Sequence, residues 1–240
     1  MKLFCDAALR GCEEIYALLK KGEDSLFGLH ERGVGGDISS GADLQAETIF
    51  LRHLSAFGTI DSEESGVIGS GENRIYLDPI DGSDNFLSHL PYYGSSIALE
   101  KEGKIVAGIV ANLANGTYLL KTEERFVKGL LGKAAETKVC VNRYATVGIF
   151  ERGYRSKKYA DRLKKAKIKY RIPGAVALSL AYAHDLRFVL FEGQMRPYDI
   201  KAGLFMCEDL YYHASEDLTI ICHNREDFTY LKELLLEDKR

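Results

Sequence analysis

The chain of 240 residues is predicted to be a mixed α/β protein in two closely packed halves, on three observations. Apolar residues recur at helical spacing from Phe4 through Ala8, Cys12, Ile15 and Leu19, with Gly22 following as a stop, and again from Asp43 to Leu54. Between Ile75 and Tyr118 the pattern shortens to strands, Ile75 to Leu77, Ser95 to Leu99 and Lys104 to Val110, the last two joined at Glu102-Gly103, which reads as an antiparallel sheet. After Glu136 strands and helices alternate, through Val147 to Phe150, a helix near Lys157 to Ala166, then Val176 to Ala183, Phe188 to Phe191, Tyr198 to Leu210, Leu218 to Cys222 and Phe228 to Leu236. The junction falls loosely within Thr122 to Glu136, giving an N-terminal α+β half over 1–130 and a C-terminal α/β half over 131–240.

With 46% hydrophobic and 28% charged residues, the chain can bury a full core without disulfide or metal staples. Asp6, Arg10, Glu13 and Glu14 interrupt the first twenty residues, so no secretory signal is expected, and no apolar run is long enough to span a bilayer. Five cysteines without a C-x-x-C pair fit a reducing cytoplasm, and six histidines without an H-x-x-x-H pair exclude the zinc-helix arrangement. A net charge of -3 excludes a nucleic-acid-binding polycation as a whole.

The charge is nevertheless uneven. Ser156 to Arg171 holds eight Lys or Arg against one Asp. It reads first as a solvated helix face and, more sharply, as a docking surface for a second phosphate. A nucleic-acid-binding module, the hypothesis of a different class, rests on this stretch alone and requires steep salt dependence without any need for magnesium.

The acids are more informative. Asp78-Pro79-Ile80-Asp81-Gly82-Ser83 follows an apolar strand and leads into a Gly-Ser-Asp-Asn run suited to opening a helix. Asp78, Asp81 and Asp84 lie within seven residues, repel one another unless cations neutralise them, and offer only oxygen, which suits magnesium rather than zinc. Pro79 fixes the backbone, Gly82 lets it pass close to a bound group, and the N–H groups that follow can receive a phosphate. Glu63-Glu64, fifteen residues upstream of Asp78, ends a short apolar segment that can place a fourth carboxylate beside the turn. Gly129 to Ala134 lacks the spacing of a P-loop, and the glycines at 66, 69 and 71 read as a mobile loop rather than a dinucleotide fingerprint.

Ile75 to Leu99 resembles the metal-binding signature of the inositol monophosphatase superfamily, D-P-I-D-G-[ST]-x-N-F followed by a proline and an S-I-A-L strand. Asp37 to Glu47 resembles its D-x-V-T-x-A-D-x-x-x-E segment, Ile60 to Ser65 its I-G-E-E-S element, and Tyr198 to Gly203 its W-D-x-A-A-G signature. The resemblance implies a layered αβαβα sandwich of the inositol-monophosphatase and sugar-phosphatase type, with the active site in the cleft between halves. It implies a phosphomonoesterase that hydrolyses a small phosphorylated substrate without a phosphoenzyme, using two or three magnesium ions. Glu63, Asp78 and the Ile80 carbonyl would hold one ion, and Asp78, Asp81 and Asp199 a second. Ser83, assisted by Asp43, would orient the attacking water, with Glu63 also catalytic.

On the same resemblance, Asp81, Gly82 and Ser83 would contact the phosphate, and Gly174, Ala175 and Glu192 the rest of the substrate, an inositol phosphate first and fructose 1,6-bisphosphate or a nucleotide 3′,5′-bisphosphate as alternatives. Ser83 stands where the family usually has Thr, Tyr198 where it has Trp, and Lys201 where it has a small residue. A cytoplasmic homodimer is expected, with no membrane or nucleic-acid partner.

Overall fold

The computed structural model describes residues 1–236. Helix α1 (Lys2–Leu19) buries Phe4, Ala8, Cys12, Ile15 and Leu19, the stripe predicted from spacing. A short hairpin, β1 (Leu29–Arg32) and β2 (Ile38–Ser40), leads into α2 (Gly41–Leu54). That helix starts at a capping box: the Asp43 N–H meets the Ser40 hydroxyl at 3.3 Å, and the Ser40 N–H donates to Asp43 Oδ2 at 2.7 Å.

A large sheet follows. It comprises β3 (Thr59–Ser62), β4 (Gly66–Ile68), β5 (Arg74–Asp81), β6 (Gly94–Lys101), β7 (Lys104–Asn112), β8 (Thr117–Thr122), β9 (Phe126–Leu130) and β10 (Glu136–Lys138), with the short helix α3 (Ser83–Leu87) after β5. The order is β10-β9-β8-β7-β6-β5-β3-β4, antiparallel except for the β3/β5 pair. A second sheet, β12-β11-β13-β15-β14, is made from β11 (Gly148–Glu151), β12 (Tyr170–Arg171), β13 (Val189–Glu192), β14 (Tyr211–Ala214) and β15 (Leu218–Cys222). Its helices are α4 (Lys157–Lys165), α5 (Val176–Ala181), α6 (Pro197–Met206) and α7 (Arg225–Leu236).

Four apolar clusters separate five layers. Helices α1 and α2 meet one face of the large sheet through Ile75, Leu77 and Ile109, while Tyr76 and Val110 point to the other face, onto α5 and α6. The second sheet repeats this alternation: Val189 and Phe191 pack toward α5 and α6, and Phe188 and Leu190 toward α4 and α7. Each fully buried Leu, Ile or Phe contributes roughly 1.5–3 kcal/mol by leaving water. The αβαβα sandwich is therefore held by the two-residue period of central strands buried on both faces.

Three segments differ from expectation. The glycines after Glu64 do not form a loop throughout, because Gly66 to Ile68 pairs with β3 as the sheet edge. The helix expected to reach Leu210 stops at Met206, where the Cys207 N–H turns inward to the Gly203 and Leu204 carbonyls and the chain reverses into β14. The large sheet runs past residue 130, since β10 pairs with β9 and Glu136 is held by the Tyr118 hydroxyl at 3.0 Å and by Arg125.

Candidate active site

The site forms at the end of β5, where the strand is bulged. Asp78 lies opposite Ser96 and Asp81 opposite Gly94, so three steps on one strand match two on the other. In a regular strand Asp78 and Asp81 would face opposite sides; the extra residue brings both to the α5/α6 side. Pro79 sits in the bulge without an N–H to lose, and its carbonyl accepts the Ser95 hydroxyl at 2.6 Å. Glu63 arrives from the end of β3, beside β5, with its N–H on the Leu77 carbonyl at 3.0 Å. Asp199 lies in the first turn of α6.

Carboxylate oxygens of Glu63, Asp78 and Asp199 lie within 4.8 Å of one another, and all three residues are buried. Asp81 adjoins them and accepts the Leu178 N–H at 3.0 Å. Burial, reinforced by the negative charge of Asp199, pushes the Glu63 carboxyl up to about 8. Burial likewise raises Asp81 to about 8, holds Asp78 well above the carboxylate range and raises Asp199. Such a group of acids ionises together only if a cation joins it.

Among the described residues, Arg196 is the cation that pairs with these acids, a contact that residue order alone does not reveal. Its guanidinium pairs with Glu63, 2.7 Å from Oε1, and donates to Asp199 Oδ2 at 3.1 Å, to Asp37 Oδ2 at 2.7 Å and to the Gly35 carbonyl at 2.6 Å. Tyr198 lies beneath it, 5.3 Å from ring centroid to guanidinium. The available signal was an Arg three residues before a candidate ligand, one helical turn away. Gly35 closes over the same place: a Cβ there would lie 2.7 Å from both Glu63 Cγ and the Tyr198 hydroxyl, so no larger residue fits.

Beside the acids, the Ser83 hydroxyl donates to Asp43 Oδ1 at 2.7 Å and lies 3.0 Å from the Ile80 carbonyl oxygen. Asp43 is fixed in turn by the N–H and hydroxyl of Ser40, each at 2.7 Å from Oδ2. Gly82 adopts φ +91°, and a Cβ on it would come 3.1 Å from the Ala175 Cβ, so the Gly174-Ala175 turn abuts the loop that follows β5. Glu192 ends β13, four residues before Arg196, and no hydrogen bond or ion pair among the described residues joins it to the acids. Lys201 points to the outer surface, 3.3 Å from Glu100 and over the Tyr76 ring, away from the acidic cluster.

Two features show that this donor set fits a hard divalent cation. Asp78 Oδ1 is buried without a hydrogen-bond partner, which costs free energy unless a further group engages it. The surrounding donors are all oxygen, and Arg196 already stands as a positive charge between two of them.

Five alternating layers with a cluster of buried acids at the end of a bulged central strand make a site that could hold a metal ion. The sequence profile of the inositol monophosphatase family matches residues 6–210, and the chain belongs to that family. A fructose-1,6-bisphosphatase/inositol-1-monophosphatase of Archaeoglobus fulgidus is 31% identical over 216 residues, 84% of this chain and 81% of its own length. A fructose-1,6-bisphosphatase of Pyrococcus furiosus is 28% identical over 229 residues, covering 83% of each. In fold, the solved extragenic suppressor protein suhB of Bartonella henselae superposes with a TM-score of 0.78 at 23% identity, over 96% of this chain and 97% of that one.

Proposed function

We propose that the chain is a magnesium-dependent phosphatase of the inositol-1-monophosphatase kind, with two or three ions held by Glu63, Asp78, Asp81, Asp199 and the Ile80 carbonyl. The observation that carries this is the meeting of the buried acids with the Ser83–Asp43 pair at one end of β5. Held by these residues, magnesium would supply the positive charge that polarises a phosphate and makes a bound water more acidic. The chain supplies position. Because Ser83 gives its proton to Asp43, its lone pairs are free to accept from the attacking water and aim it in line with the ester. Asp43 is held against rotation by Ser40.

The N–H groups of Gly82 and Ser83 receive phosphate oxygens, the Gly174-Ala175 turn bounds the leaving group, and Glu192 accepts a hydroxyl from a polyol. Fructose 1,6-bisphosphate is the second reading, favoured by the relatives whose names carry that activity. Phosphate release measured across inositol monophosphates, fructose 1,6-bisphosphate and a nucleotide 3′,5′-bisphosphate, with magnesium and then with added lithium, decides between them. Release from none of them would overturn the assignment.

We also propose a cytoplasmic homodimer. The all-free cysteines are consistent with a reducing compartment, and light scattering at micromolar concentration tests the dimer.

A further inference from the structure

Glu151 ends β11, on the second sheet, and is 1% exposed. A carboxylate so placed costs several kcal/mol unless donors surround it. Here they do, and they come from one short segment. Glu151 Oε2 accepts the Gly174 N–H at 3.1 Å, and Oε1 accepts the hydroxyl of Ser179, itself fully buried on α5. The Ser179 hydroxyl oxygen also lies 2.9 Å from the Ala175 carbonyl and 3.1 Å from the Tyr92 hydroxyl. One side chain therefore pins both ends of the 174–179 segment.

The opposite side of that segment faces the acids. Leu178 gives its N–H to Asp81 Oδ2 at 3.0 Å, and Ala175 lies against Gly82. Asn85, in α3, donates to the Pro173 and Tyr92 carbonyls, each at 2.7 Å, and fixes the segment's entry. The 174–179 turn is thus gripped between two carboxylates, Asp81 on the first sheet and Glu151 on the second.

We infer that Glu151 is a positioning residue for the phosphatase reaction: it holds the 174–178 backbone so that the Leu178 N–H aims the Asp81 carboxylate and Ala175 closes the wall beside Gly82. This rests on the reading of Asp81 as a metal ligand. Groups that orient a ligand in this indirect way change metal affinity or activity by about 10–100-fold when removed. Glu151 acts through the turn, by way of Gly174 and Ser179.

The test uses the full chain with Glu151→Asp, Glu151→Gln and Glu151→Ala, measuring magnesium affinity by calorimetry, kcat and KM separately, and Tm. Glu151→Asp keeps the charge but is one methylene too short to reach both Gly174 and Ser179. It is expected to weaken magnesium binding roughly tenfold and to lower kcat more than it raises KM. Glu151→Gln keeps the length, accepts from Gly174 and donates to Ser179, and is expected to recover most of both. Glu151→Ala should show the larger loss; if it fails to fold, Glu151→Asp carries the test. A lowered Tm with magnesium affinity, kcat and KM unchanged in Glu151→Asp would overturn the inference. Asp81→Asn run alongside separates the two claims: if it too leaves magnesium affinity unchanged, the ligand assignment itself fails.

Discussion

Two charge-rich regions of this chain look alike as strings and behave in opposite ways. The basic stretch 156–171 has the denser charge, yet Lys157, Lys158, Lys164, Lys165, Lys167, Lys169 and Arg171 are all exposed, and only Tyr159 and Leu163 of α4 turn fully inward. Arg162 is half-buried and caps the Leu234 and Leu235 carbonyls at the end of α7. The acids around β5 are fewer, but every one of Glu63, Asp78, Asp81 and Asp199 is buried. Charge in water is solvated and individually weak, whereas charge withheld from water must find a partner. Burial, not density, marks the functional cluster.

Asp81→Asn, the strongest blow to the buried side of this comparison, should abolish hydrolysis and leave the fold intact, because it removes a ligand charge from a set of mutually repelling acids. Retention of more than about a tenth of kcat, a loss under about 1.4 kcal/mol, would contradict a direct metal role. Ser83→Ala comes next. It should lower kcat by roughly a hundredfold with KM little changed, while Ser83→Thr keeps the hydroxyl and most of the rate; equal activity in the two variants would remove Ser83 from the mechanism.

Arg196→Gln should tighten magnesium binding by about tenfold, since the guanidinium competes for Glu63 and Asp199, and should lower the Tm of the metal-free protein. Calorimetric titration showing weaker binding instead would mean that Arg196 shapes the site rather than competing for it.

The acids also predict a pH dependence. Glu63 and Asp81 titrate near 8 when folded, and near 4 when unfolded. The folded, metal-free protein therefore binds more protons between these values, and its stability falls as pH rises from about 5 to 8. Magnesium binds the ionised form and should reverse the trend, so Tm against pH with chelator and with magnesium should diverge upward in pH. Parallel curves would argue against metal at this cluster. Smallest of all, Lys164→Glu with Lys165→Glu, two exposed lysines in the last turn of α4, should change stability by no more than about 1 kcal/mol together and leave turnover of inositol phosphate untouched. A rise in KM confined to a bisphosphate substrate would revive the docking role of the basic face.

Much of this was legible because it is local. The β5 strand, the proline and glycine of the turn and the Ser83 hydroxyl lie within a few residues of one another, and their chemistry follows from order alone. Asp43 is legible as a helix-start acid, whereas the part of Ser40, which caps that helix and locks Asp43, shows only in the structure. The end of α6 is not legible, because its apolar residues continue to Leu210 and only the turn at Cys207 ends it.

By itself, then, the sequence determined the helical stripe of α1, the strands of the central sheet and the acidic turn after them, since period and spacing act within a single element. The tertiary structure decided the rest. The order of layers depends on which face of each doubly buried strand meets which helix, and apolar runs such as Val189 to Phe191 carry no mark of that choice. Arg196 and Glu151 gain their roles only when α6 and β11 are packed against the end of the large sheet. There, desolvation makes each charge dependent on neighbours up to 161 residues away in the chain.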